Sequence, residues 1–243
     1  MTLTIHRMNF PLSEADARTL RAGDQLIIDG EIIVTAGLPT HQRLIGCLDG
    51  VEPLPMSLQG QSLFHLGSYS QEKETGPGAG QGSLELLYIN PTTSTRFNPV
   101  MPRLITELQL HAVGGKGGLD EHSVEAMRKA GCVYLSFLGG GATLHTRAVR
   151  EVLEVGWSDM LMHYRLVRLR VEGLGPVTVA IDAHGNSNYA DAQANARSRI
   201  DSIMRNLDKG REHFLSSKKA MNTSNCPPCM TCTEPVQEAS RGK

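Results

Sequence analysis

The apolar residues of this chain come in short runs, and most of the runs stop at glycine or proline. Leu84–Ile89 ends at Asn90-Pro91, Leu104–Val113 at Gly114-Gly115-Lys116-Gly117-Gly118, and Cys132–Leu138 at Gly139-Gly140-Gly141. Runs this short suit buried strands and are far from the length a membrane span needs. The glycine stops suit tight connections between strands and helices. Asp120 is placed to cap a helix through Ala130, with Gly131 just past its end. The Gly139-Gly140-Gly141 loop leads into an expected helix over 142–154, with Leu144, Ala148, Val149, Val152 and Leu153 on one face. A last helix is expected over 189–207, where Ala192, Ala196, Ile200, Ile203 and Leu207 recur every three or four residues.

Other segments read as strands. Leu26-Ile27-Ile28 and Glu31-Ile32-Ile33-Val34 flank Asp29-Gly30, a pair that favours a two-residue hairpin turn. Leu104–Val113 is rich enough in aliphatics for a strand, and Tyr164–Val171 and Val177–Ile181 alternate as two more before a turn at Asp182–Ser187. The first 20 residues form a lead-in with a short helical turn near Ser13 and Glu14. Residues 67–83 are polar and glycine-rich and read as an exposed loop or flap, and residues 208–225 turn polar and aperiodic. The order, strands first and then a βαβαββα run, predicts an α/β fold with a mixed sheet. It divides the chain near 210, into a domain over 1–210 and a polar tail over 211–243.

With 40% hydrophobic and 20% charged residues among 243, the chain can bury a sizeable core. Its 24 Lys+Arg against 25 Asp+Glu leave no electrostatic footprint for nucleic acid or an anionic membrane, so neither is expected as a partner. The N-terminus lacks a basic start followed by an apolar region, which predicts a cytoplasmic location. Five cysteines are an odd number for a disulfide framework. Cys47 and Cys132 sit singly in apolar surroundings, as buried thiols do.

Three features offer chemistry. Thr92-Thr93-Ser94-Thr95-Arg96 follows a strand and a proline, and its hydroxyls, backbone N–H groups and guanidinium suit a carboxylate or phosphate; the alternative is a Ser/Thr-rich turn with a solvated arginine. Gly114-Gly115-Lys116-Gly117-Gly118 lets the backbone approach an anion before a helix start, without P-loop spacing, or else is a flexible connection. Cys226, Cys229 and Cys232 have the Cys-x2-Cys-x2-Cys spacing of metal or iron–sulfur ligands, in a context equally suited to a plain tail with reactive thiols. His41 stands alone, as hydrogen-bonded structural histidines often do.

Taken together, LRAGDQLIIDGEIIVTAG followed by His41, NPTTSTRF, GGKGG, CVYLSFLGGGA and VTVAIDAHGNSNY resemble, in order and over about residues 20–205, the β domain of iron–sulfur-dependent class I fumarases. They resemble equally the separate β subunits of fumarate and L-tartrate dehydratases. The resemblance implies a swivelling β/β/α domain that closes over an active site. It implies a 4Fe-4S cluster held by a partner alpha subunit, and a dicarboxylate substrate to which water is reversibly added. Thr92, Thr93, Arg96, Lys116 and His41 would contact the substrate, with Thr92 and Lys116 catalytic and Thr92 moving the proton at carbon. Two departures stand out. Gly37 and Leu38 occupy places where the family usually has Arg-Asp, and Tyr164 sits near a customary Glu. The competing implications are a non-catalytic anion-binding or assembly paralogue, and a metal- or cluster-carrying protein acting through its cysteine tail.

Overall fold

The computed structural model describes residues 5–72 and 84–223, with side chains through residue 217. It divides into two units, residues 1–192 and 193–243. In the first unit, β1 (Ile5–Phe10) is followed by α1 (Glu14–Thr19), β2 (Gln25–Thr35) and α2 (Leu38–Leu48). The chain continues with β3 (Ser62–Glu72), β4 (Leu84–Pro91), α3 (Met101–Glu107), β5 (Ala112–Gly115) and α4 (Glu121–Ala130). It closes with β6 (Val133–Ser136), α5 (Ala142–Thr146), β7 (Val149–Gly156) and β8 (Leu166–Ile181), before α6 (Asn188–Thr223). The class is the expected one, α/β with a mixed sheet of eight strands.

Five of the strands close on themselves. β2 pairs with β3, β3 with β5 and β5 with β6 in parallel, and β8 completes the ring by pairing antiparallel with both β6 and β2. Alternate side chains therefore enter two separate cores. Ile32 and Val34 of β2, Phe64 of β3 and Val133 and Leu135 of β6 belong to one, supplied by all five ring strands. Ile33, Leu63 and Tyr134, one residue out of phase, join Met101, Leu104, Ile105 and Met127 of α3 and α4 in the other. Burial on both faces is why these strands read as continuous apolar runs.

Several sequence expectations are corrected. Asp29-Gly30 is no hairpin turn but an irregularity inside the continuous strand β2, whose register with β8 shifts between Ile28 and Gly30. β1 and β8 claim both edges of β2, so extension is favoured over a turn. Gly30 is needed there because a Cβ would lie 2.3 Å from the Phe10 carbonyl oxygen. Of Leu104–Val113, residues 104–107 are the second half of helix α3 and only Ala112 and Val113 are strand. Pro102 opens α3, and Met101, Leu104 and Ile105 form its buried stripe. The strand, β5, starts only at Ala112.

The helix expected over 142–154 stops at Thr146, and β7 takes its second half. Val149, Val152 and Val155 recur every three residues, a helical spacing, and two register shifts in the pairing with β8 turn all three to the same core from a strand. Pairing with β8 decides, aided by cross-strand ion pairs Arg150–Glu172, Arg170–Glu151 and Arg168–Glu154. The two strands expected over 164–181 are one, β8. Part of the expected flap is strand, since β3 extends through Glu72 and pairs with β4; residues 73–83 lie outside the described ones. The cap at Asp120 is as expected, accepting from the Ser123 N–H, and Gly131 ends α4 at φ 66°. Helix α6 does not give way to aperiodic chain after 207 but continues to Thr223. No helix among the described residues is long and apolar enough to cross a membrane.

Candidate functional site

Two loops follow strands of the first unit and are tied to each other. The Ser94 N–H donates to the Lys116 carbonyl at 2.8 Å, and the Lys116 N–H donates to the Thr92 carbonyl at 3.0 Å. This isolated parallel bridge holds the 92–96 run against the glycine loop. The Thr92 N–H is in turn bonded to the His65 carbonyl of β3. The main-chain N–H groups expected to be free for an anion are thus in use at Thr92, Ser94 and Lys116. The helix N-terminus after the glycine loop is also taken, by the Asp120 side chain.

Side chains of the two loops converge. A cleft of about 330 Å³ is lined by Ala36, Tyr88, Asn90, Thr92, Thr93, Arg96, Lys116 and His163, with Gly67 and Pro91 completing its wall. The guanidinium of Arg96 donates to the Thr92 hydroxyl oxygen and, through Nε, to the Thr93 carbonyl at 3.3 Å. No carboxylate lines the cleft among the described residues. Two cations and two hydroxyls in one recess suit a small carboxylate-bearing ligand. The structure therefore brings together Thr92, Thr93, Arg96 and Lys116.

It does not bring His41 to the cleft. His41, on α2, is fully buried and stacks on Phe97 at 3.8 Å between ring centroids. Its Nδ1 lies 2.7 Å from the Gly37 carbonyl, which can only accept, so Nδ1 carries the proton and Nε2 is the bare nitrogen. That Nε2 is buried and without a hydrogen-bond partner. Burial pushes the imidazole down from 6.5 to about 4, so it is neutral at ordinary pH. His41 belongs to a floor built of His65, Ser94, Phe97 and Tyr134. Ser94 Oγ accepts from the Tyr134 hydroxyl at 2.8 Å and lies 2.7 Å from His65 Nδ1. Burial, with the His41 and Arg96 charges adding, pushes His65 well down. Tyr134 is likewise pushed up by burial, against the opposing hydrogen bond to Ser94.

Glycines let this floor sit directly beneath the loops. A Cβ on Gly115 would lie 2.4 Å from Ser94 Oγ, and one on Gly118, at φ +78°, would lie 2.6 Å from the Tyr189 ring. The place of the departure at Gly37 is equally tight. A Cβ there would lie 2.5 Å from the Tyr164 ring, and the Tyr164 carbonyl accepts from the Thr35 and Thr40 hydroxyls.

Asn90 and His163 in the cleft, and His65 under it, are missing from the sequence reading; Ser94, read there with the 92–96 run, is buried and is not part of the cleft wall. His65 carried a signal, a polar residue inside the apolar run LFHL. His163 carried none, since it reaches the cleft from the loop before β8. Cys226, Cys229 and Cys232 lie outside the described residues. Among the described residues, no three His, Cys, Asp or Glu side chains are grouped to hold a metal. Cys132 is a buried free thiol as expected, whereas Cys47 is a free thiol only partly buried; burial pushes both up. The described residues do not fit a 4Fe-4S cluster.

A family model described as the fumarase C-terminus matches residues 3–192. The chain belongs to the fumarase C-terminal family. It is 30% identical over 194 residues to a Methanocaldococcus jannaschii protein named "Putative L(+)-tartrate dehydratase subunit beta", covering 79% of this chain and 95% of that protein. It is 28% identical over 197 residues to the L(+)-tartrate dehydratase subunit beta of Escherichia coli, covering 81% and 92%. It is also 30% identical over 195 residues to a Geobacillus stearothermophilus protein named "Putative fumarate hydratase class I", 78% of this chain but only 34% of that longer one. The fumarase C-terminal match ends at residue 192, the last residue of the first structural unit.

Proposed function

We propose that this chain is the beta subunit of a heteromeric hydro-lyase that adds or removes water at a 2-hydroxy dicarboxylate of the fumarate, malate or tartrate class. The observation that carries the reading is the convergence of Arg96 and Lys116 on one recess beside the Thr92 hydroxyl, in a chain of the fumarase C-terminal family. Arg96 and Lys116 hold a substrate carboxylate by charge-assisted hydrogen bonds. The guanidinium that donates to Thr92 Oγ1 favours the deprotonated oxygen, which suits that hydroxyl for proton transfer at the substrate's carbon. Asn90 and His163 line the same recess and complete the polar contacts. An alpha chain, as a partner, brings the iron–sulfur cluster that this reading requires. The beta chain alone therefore has no hydratase activity.

The test is co-expression with a candidate alpha chain, followed by assay on fumarate, malate and tartrate. Turnover by the pair, absent from either chain alone and reduced at least tenfold by Lys116→Ala, supports the reading. Turnover by the isolated chain, or a pair indifferent to Lys116, overturns it. The second reading, an anion-binding or assembly paralogue, is favoured by the Tyr164 ring that bars a side chain at position 37. A pair that forms and binds dicarboxylate without turnover would establish that alternative.

A further inference from the structure

Helix α6 runs for 36 residues, and every side chain from 190 to 216 is exposed. An exposed helix is normally polar all round or has its apolar stripe covered. This one carries an exposed apolar stripe in a regular register. Ala196, Ile200, Ile203, Leu207 and Gly210 recur at alternating spacings of four and three, the inward positions of a heptad repeat. Ile200, Ile203 and Leu207, at the centre, expose 54%, 46% and 61% of their surface.

The flanks of this seam carry charge of one sign only. Arg197, Arg199 and Arg211 stand beside it, with Met204, Asn206 and His213 at the other flanking positions. The acids of the same stretch, Asp201, Asp208 and Glu212, project from the far side of the helix. A second copy of this helix would bring arginine-flanked seams together with no carboxylate on either flank to meet them. We propose that the seam of α6 docks an amphipathic helix of a different protein chain, one that is apolar along its own heptad seam and acidic along both flanks. The apolar stripe supplies the contact area and the arginines select the partner's charge and orientation.

The test uses the full-length chain and two synthetic three-heptad peptides with Ile and Leu at the inward positions. One has Glu on both flanks and the other has Lys. The Glu peptide should bind at least tenfold tighter than the Lys peptide, and its affinity should fall when salt is raised from about 0.05 to 0.5 M. Ile203→Asp should weaken Glu-peptide binding at least tenfold. The double substitution Arg199→Glu with Arg211→Glu, which leaves the apolar seam intact, should reverse the preference between the peptides. Equal binding of both peptides, or binding of neither, overturns the proposal. So does a dimer of the chain in sedimentation that Ile203→Asp dissolves, because the occupant would then be a second copy.

Discussion

The floor of the cleft and helix α6 handle their side chains in opposite ways. Under the cleft, His41, His65, Ser94, Phe97 and Tyr134 come from α2, β3, the loop after β4 and β6, and every one of them is buried. Their order rests on contacts between residues far apart in sequence, such as Ser94 with Tyr134 and His65. In α6 the backbone bonds are local, and Ile200, Ile203 and Leu207 stand in water. A change in the floor must be absorbed by several elements at once. A change on the α6 seam is felt only by whatever covers it.

The sharpest way to break that contrast is Gly115→Val. The new Cβ would meet Ser94 Oγ at 2.4 Å and the Thr92 carbonyl at 3.0 Å. Urea unfolding should show a loss of about 3 kcal/mol or more. A variant as stable as the parent would mean that the floor yields easily.

Acid should also attack the floor first. His41 titrates at about 4 folded against 6.5 unfolded, so the unfolded chain binds more protons between those values. Stability is therefore complete above about pH 6.5 and declines as pH falls towards 4, by roughly 3 kcal/mol from this residue. The depressed His65 acts in the same direction. Denaturant titrations at pH 7 and pH 4.5 should show the loss shrinking in His41→Phe, which keeps a ring against Phe97.

Ser94→Ala removes the shared partner of Tyr134 and His65 and should cost about 1–3 kcal/mol, read by thermal unfolding. Lys116→Ala and Arg96→Ala should leave stability within about 0.5 kcal/mol, since both side chains are exposed. In the assembled enzyme each should lower kcat/KM at least tenfold, about 1.4 kcal/mol. The smallest effect belongs to α6. Leu207→Asp, or truncation after residue 215, should shift the thermal midpoint of the unpartnered chain by no more than a few degrees.

The sequence disclosed the class of the fold and the loops that carry the cleft, for a physical reason. Glycine and proline stops mark where strands end, and cleft residues sit at such ends, so Thr92, Arg96 and Lys116 were legible in order. Pairing was not. Asp29-Gly30 looks like a turn to anyone reading one strand, and only the neighbours β1 and β8 make it an extended bulge. Val149, Val152 and Val155 have helical spacing, and only the bulged pairing with β8 shows how a strand can turn all three to one core. His41 was legible as a residue but not as a position. Its place beneath the cleft depends on the stacking surface of Phe97, which lies far along the chain.

The contact between Gly37 and Tyr164 also constrains the substitutions open to this chain. With the ring 2.5 Å from where a Cβ would stand, any side chain at 37 is barred while Tyr164 keeps its place. An arginine at 37 would have to follow a smaller residue at 164. The two positions are therefore coupled, and what can stand at 37 is set by the ring at 164.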